Sequence, residues 1–370
     1  MAAPDIPGLL TQALDRRSSD LHLTVGAPPT IRIDGRLTPL EHPPLDDIGL
    51  KGAMHSVMGI DRRGRFEREK ELDFAYDLGT RARFRVNTFF QKGNIGAVFR
   101  AIPTEIPRFE DLGLPEAVRA FADMPRGLVL VVGITGSGKS TTLASLLDIV
   151  NRTRTDHIVT VEDPIEFVHS HKSCLVNQRE VGDDTHSFSD ALKHVLRQDP
   201  DVILVGEMRD LETMSTAITA AETGHLVFAT LHTQDAAQTV DRIIDAFPAD
   251  QQGQIRSQLS TTLRGVMAQQ LLPHASGTGR VVAAEVLVVT PAVRNLIREG
   301  KTFQIPSAIQ SGGRMGMQTM DQSLATLVMS GAITQERAFD RCQDAQGLAQ
   351  LLGVRPPTAY AEAATTTAGV

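Results

Sequence analysis

Five apolar runs in the second part of the chain set its architecture. Leu128-Val129-Leu130-Val131-Val132 is uninterrupted, as a strand buried on both faces requires, and residues 157–161, 202–205, 226–230 and 281–288 repeat the pattern. Helical periodicity fills the intervals, so this part reads as α/β with a mostly parallel sheet and flanking helices. Residues 21 to about 102 show a different rhythm, with short alternating strands such as Thr30-Ile31-Arg32-Ile33 and Arg83-Phe84-Arg85-Val86-Asn87. That pattern predicts a smaller α+β domain over 1–103. Pro103, Pro107, Gly113 and Pro115 mark residues 104–117 as a linker, the second domain is expected over 118–355, and the Ala/Thr-rich tail over 356–370 is expected to be disordered.

Composition narrows the function classes. A chain of 370 residues can build two hydrophobic cores, and 41% hydrophobic with 22% charged residues describes a globular protein. The longest apolar run, around Val131, is far too short for a membrane span, and the N-terminus has no signal-peptide pattern, so a cytoplasmic protein is expected. Two cysteines, Cys174 and Cys342, cannot make a disulfide framework or a C-x-x-C zinc site. A net charge of −7 gives no reason to expect nucleic acid as a partner, and the basic run from Arg62 to Lys70 is interleaved with acids like a solvated helix surface.

The chemistry begins directly after the first apolar run, at Gly133-Ile134-Thr135-Gly136-Ser137-Gly138-Lys139-Ser140, which a helical pattern over 140–150 follows. Strand, glycine loop and helix in that order turn backbone N–H groups inward around phosphates. Lys139 then reaches the outer phosphates, and the Ser140 hydroxyl is a Mg²⁺ ligand. The expected nucleotide-binding set is Gly133, Thr135, Gly136, Ser137, Gly138, Lys139, Ser140 and Thr141, with Mg²⁺ beside the nucleotide phosphates.

In open α/β sheets ligands gather at the carboxyl ends of the strands, and the remaining motifs of this part each adjoin a strand. Glu162-Asp163-Pro164-Ile165-Glu166 puts three carboxylates on a turn, because Pro164 cannot continue a central strand. Hydrolysis needs a group that orients or deprotonates water. Glu166 is the first choice for it, with a merely solvated acidic loop as the other reading. The run Val202-Ile203-Leu204-Val205-Gly206-Glu207 ends in an acid one residue beyond the usual Asp position, so Glu207 is assigned to Mg²⁺, directly or through water. His225 and His232 flank the fourth run, and His232, at the carboxyl end, is better placed to sense phosphate. Arg83 and Arg85 lie two apart on one strand and share a face, with Arg100 ending the next extended segment. They form either an exposed cationic face or an anion clamp that serves a neighbouring subunit.

Together these motifs resemble the secretion ATPases of the type II and type IV pilus superfamily. The P-loop resembles their Walker A, Thr160-Val161-Glu162-Asp163-Pro164-Ile165-Glu166-Phe167 their Asp box, Leu204-Val205-Gly206-Glu207-Met208-Arg209-Asp210 their atypical Walker B, and residues 223–233 their His box. Ala292-Val293-Arg294-Asn295-Leu296-Ile297-Arg298-Glu299 resembles a signature of the retraction branch, with Val293 for the usual Ile, and reads as an amphipathic helix with Val293, Leu296 and Ile297 inward. Ile134 stands where that branch usually has Pro. Assembly and secretion members typically carry paired C-x-x-C zinc motifs and longer N-terminal regions, which this sequence lacks.

The resemblance implies a PAS-like N-terminal domain, a RecA-like P-loop ATPase domain, and a homohexameric ring with ATP held between the RecA-like domain and arginines of an N-terminal domain. Lys139, Glu166, Glu207, His232, Arg83, Arg85 and Arg100 are then the catalytic set. It further implies a cytoplasmic motor, peripheral to the membrane, that acts on the inner-membrane pilus platform protein to retract the fibre. A paralogous motor sharing that task is left open. Two other readings also remain: a pilus assembly or type II secretion ATPase, and a non-hydrolytic nucleotide-gated scaffold.

Overall fold

The computed structural model describes residues 3–357 except Asp34, Thr80 and Thr104, so nearly all of the tail expected over 356–370 lies outside the described residues. The chain divides into two compact units. The first is the chain up to Glu105 together with Pro164–Val168 and Gly182–Asp184, and the second is Ile106–Asp163, His169–Val181 and the chain from Thr185 on.

In the first unit, α1 (Ile6–Asp15) is followed by β1 (Asp20–Thr24), β2 (Thr30–Ile33), β3 (Arg36–Pro39), α2 (Asp47–Glu69), β4 (Glu71–Leu78), β5 (Ala82–Gln91) and β6 (Asn94–Ile102). The strands make one antiparallel sheet in the order β3-β2-β1-β6-β5-β4. Period-two patterning decides which side chains enter the core: along β5, Ala82, Phe84 and Val86 are buried while Arg85 is exposed. The β5–β6 hairpin closes through Lys92-Gly93, both at positive φ, the backbone that a tight two-residue turn of this hand demands. Leu21, Leu23, Ile31, Met54, Phe66, Phe84 and Phe99 form the centre of this unit's core.

The second unit continues with α3 (Glu116–Arg119), β7 (Gly127–Val132), α4 (Lys139–Thr153), β8 (His157–Glu162), β9 (Leu175–Glu180), α5 (Phe188–Val195), β10 (Val202–Val205), α6 (Leu211–Glu222) and β11 (Leu226–Leu231). After these come α7 (Ala236–Asp245), α8 (Gln252–Thr262), β12 (Leu263–Pro273), β13 (Arg280–Val288), α9 (Pro291–Arg298), α10 (Ile305–Ser311), α11 (Met320–Met329), α12 (Gln335–Phe339) and α13 (Ala345–Leu352). The sheet order is β13-β12-β7-β11-β10-β8-β9, and all neighbours are parallel except β12 and β13. Every residue of β7, β10 and β11 is buried, because helices cover both faces. Leu128, Leu130 and Val132 face the cluster that includes Met214, Val240 and Val293. Val129 and Val131 face the opposite cluster, with Leu146, Val150 and Phe121.

The stretch expected as a linker over 104–117 is partly structured. Phe109–Leu112 forms a 3-10 turn and Glu116 opens α3, and the reason is burial: Phe109 and Val118 enter the second unit's core despite the prolines around them. Two strands, β9 and β12, join the five expected from the apolar runs.

Candidate nucleotide site

β7 delivers the glycine loop to the carboxyl end of the sheet, and α4 begins at Lys139. Gly133 and Gly138 have φ of 145° and 91°, conformations that glycine adopts at little cost. At Gly133 there is also no room for a side chain, since a Cβ would stand 2.4 Å from the Gln269 carbonyl oxygen of β12. Lys139 Nζ donates to the Gly133 carbonyl at 2.7 Å and the Ile134 carbonyl at 3.1 Å, so the ammonium lies over the loop. Ser140 and Thr141 are half-buried in the first helical turn, and Thr135 and Gly136 are exposed at the loop's tip. Ser137 is buried, and its hydroxyl oxygen has no hydrogen-bond partner among the described residues. An orphaned hydroxyl inside a glycine cradle at a helix N-terminus, with a lysine above it, fits a phosphate chain.

The strand order places two further motifs beside this loop. β11 separates β7 from β10, so the ends of β7 and β10 are about two strand spacings, roughly 10 Å, apart on one edge. Glu207 follows β10 and His232 follows β11, and His232 Nε2 lies 3.0 Å from Glu207 Oε1. Arg209 Nη2 holds the other carboxylate oxygen at 2.7 Å, and its Nη1 stands 3.9 Å from Asp163 Oδ2. Burial alone pushes the Glu207 carboxyl up, but the hydrogen bond from Arg209 and the charges of His232 and Arg209 outweigh it and hold the group below its ordinary value. Glu207 is therefore an anion at neutral pH. At Gly206, the usual position of the acid, a Cβ would press 3.1 Å from the Val161 carbonyl and 3.2 Å from the Glu162 Cα, so a side chain there needs the β8 backbone to give way by a few tenths of an ångström. An open cavity of about 470 Å³ begins at Glu207 and is bordered by Arg209, His232, Thr233, Gln238 and Arg242; no loop residue from Gly133 to Thr141 lines it.

The other expected site residues are placed differently. Glu166 lies in Pro164–Val168, the segment that clusters with the first unit, and its side chain is exposed. Of the three carboxylates read together on that turn, Glu162 is still in β8 and accepts hydrogen bonds from Thr160 Oγ1 and Gln178 Nε2. It is therefore committed to the sheet. Arg83, Arg85 and Arg100 sit in the first unit, where Arg85 and Arg100 are direct cross-strand partners. Each faces a carboxylate: Arg83 with Asp77 at 3.2 Å, Arg85 with Asp73 at 3.8 Å and Arg100 with the buried Asp20 at 2.8 Å. His225 is engaged at the end of α6, with Nδ1 2.9 Å from the Ala220 carbonyl.

Two residues of this edge were not singled out by sequence reasoning. Gln269, on β12, is buried beside the loop and bonded to it, and Glu285, on β13, accepts from the Ala236 N–H that opens α7 at 2.8 Å. The available signal was a polar side chain inside an otherwise apolar run, Val266-Met267-Ala268-Gln269 and Ala283-Ala284-Glu285-Val286.

A doubly covered parallel sheet with a glycine loop, a lysine and an ionised acid at its carboxyl edge defines a P-loop nucleotide-binding protein. Comparison with known families narrows this: the model for type II/IV secretion system proteins matches residues 2–341, and the chain belongs to that family. The type IV pilus retraction ATPase PilT of Pseudomonas aeruginosa is 52% identical over 339 residues, which cover 92% of this chain and 98% of that protein. A twitching motility protein of Neisseria gonorrhoeae is 50% identical over 320 residues, 86% of each. Among solved structures, the pilus retraction motor PilT with bound ADP superposes with a TM-score of 0.88 at 48% identity, covering 94% of this chain and 99% of that one.

Proposed function

We propose that the chain is an ATPase motor that powers retraction of a type IV pilus. The observation that carries this reading is likeness along nearly the whole length of a retraction ATPase, with Lys139, Ser140, Glu207 and His232 on one sheet edge. ATP with Mg²⁺ supplies the phosphoryl chemistry. The loop from Gly133 to Gly138 cradles the phosphates, Lys139 exchanges its two loop carbonyls for phosphate oxygens, and Ser140 and the anionic Glu207 are the protein's groups for the metal. His232 steadies Glu207 and reports the state of the phosphates, and Glu166 orients the attacking water.

The working form is a homohexameric ring in which Arg83, Arg85 and Arg100 stabilise charge at a nucleotide site. Its partner is the inner-membrane platform of the pilus, to which the ring docks from the cytoplasm. No helix among the described residues is long and apolar enough to cross a membrane. Deleting the gene tests the proposal: excess pili that fail to retract support it, and loss of pili indicates an assembly motor.

A further inference from the structure

The amide of Gln269 joins the phosphate loop to a strand that carries no part of the expected site. Ala268 pairs with Val132, the last residue of β7, so Gln269 stands beside the point where the chain leaves the sheet to form the loop. Its side chain is 2% exposed. Nε2 donates to the Ser137 carbonyl at 2.6 Å, and Oε1 accepts from Thr142 Oγ1 at 2.9 Å. The Ser137 carbonyl only accepts, which fixes the amide with its nitrogen toward the loop.

In a trans peptide the carbonyl and the following N–H point in opposite directions. Drawing the Ser137 carbonyl toward β12 therefore turns the Gly138 N–H away from β12. Gly138 holds the positive φ that this orientation needs, and a Cβ there would stand 3.1 Å from Gln269 Nε2. The same amide anchors Thr142, whose N–H bonds the Gly138 carbonyl at 3.0 Å in the first turn of α4. One side chain thus sets both the peptide plane ahead of Lys139 and the helix turn behind it.

We propose that Gln269 is a positioning residue for nucleotide binding: it presets the Gly138 N–H of the loop for phosphate. This rests on the reading of Gly133–Thr141 as the phosphate site. Because Gln269 touches no reacting atom, its loss raises the KM for ATP and weakens ADP while sparing kcat at saturation.

The test is calorimetric titration of the full chain with ADP and Mg²⁺, for the wild type, Lys139→Ala, Gln269→Met and Gln269→Glu. Gln269→Met, similar in volume but without donor or acceptor, is expected to bind ADP at least tenfold more weakly, with kcat within threefold of wild type. An ionised Gln269→Glu cannot donate to Ser137, whereas its protonated form donates and still accepts from Thr142. Its ADP affinity is therefore expected to rise at least fivefold more than the wild type's between pH 8.5 and pH 6, a response that packing alone does not give. Gln269→Met binding ADP within twofold of wild type overturns the proposal. If that variant does not fold, a Gln269→Glu pH response no larger than the wild type's overturns it. Wild-type chain that fails to bind ADP, or Lys139→Ala that binds it unchanged, refutes the phosphate-site reading itself.

Discussion

Lys139 Nζ donates to the Gly133 and Ile134 carbonyls, and no other cation stands between Gly133 and Thr141 to take over its charge. Lys139→Ala is expected to lower ATP turnover by about 10²–10³-fold or more, the usual cost of removing a preorganised group that meets developing charge. Glu207→Gln keeps the shape and loses the anion that His232 and Arg209 hold, so nucleotide binding should persist while turnover falls by a similar factor; wild-type turnover in it would remove Glu207 from the mechanism. Arg85 and Arg100 separate by what each leaves behind. Arg85 pairs at 3.8 Å with an exposed Asp73, and Arg85→Ala should change stability by less than about 0.5 kcal/mol. Arg100 bonds an Asp20 side chain that is only 5% exposed, so Arg100→Ala should cost roughly 1–2 kcal/mol besides any loss of turnover. Urea midpoints of the two variants check this, and equal midpoints would show that Asp20 does not need Arg100. The P-loop, Glu207 and His232 were legible as single residues because each ends an apolar run. Their pairing was not, because a contact between the ends of two different strands depends on strand order, which the runs alone do not reveal.

At the scale of elements, the signature helix shows what periodicity can and cannot decide. α9 has the predicted apolar side: Thr290 caps it, Val293 and Ile297 are fully buried, and Leu296 packs against the same core. Ile297→Ala should therefore cost roughly 2–5 kcal/mol and report on folding, not on the motor. The exposed Arg298 is the better probe: Arg298→Glu is expected to leave the melting temperature and ATP turnover near wild type and to stop retraction, and normal retraction would make α9 an ordinary surface helix. β9 and β12 escaped the pattern for opposite reasons. β9 is a sheet edge with exposed Leu175 and Asn177, so its apolar signal is diluted. β12 is buried on both faces and rich in Met, Ala, Gln and Leu, good helix formers that only tertiary pairing holds as a strand. On the neighbouring strand, burial pushes Glu285 up to about 7 from an ordinary 4.5, against the hydrogen bond from Ala236. The folded chain then keeps a proton that the unfolded chain releases, so this group's stabilisation is present below about pH 4.5 and is lost as pH rises through about 7. Glu285→Gln should flatten that part of the decline in urea midpoint between pH 5 and pH 8. An unchanged slope would place the titration elsewhere.

For the whole molecule, the two units divide the chemistry: Lys139, Ser140, Glu207 and His232 belong to the second, and Arg83, Arg85, Arg100 and Glu166 to the first. Nucleotide hydrolysis that needs both sets, with arginines supplied across a ring, should rise cooperatively with protein concentration. A steady-state assay over a dilution series measures this, and full specific activity in a monodisperse monomer would contradict the ring. The α/β class, the strand, glycine loop and helix succession of the P-loop and the family signature were all readable in the sequence, because burial on both sheet faces writes continuous apolar runs. The grouping of Pro164–Val168 and Gly182–Asp184 with the first unit was not, since it depends on contacts such as Arg62 with Asp183 at 3.1 Å between residues far apart in the chain. The central claim, that ATP hydrolysis by this chain retracts pili, is tested most directly by imaging labelled pili in living cells whose only copy of the gene carries Lys139→Ala. The account predicts normal extension with retraction events abolished. Retraction at the wild-type frequency would contradict it.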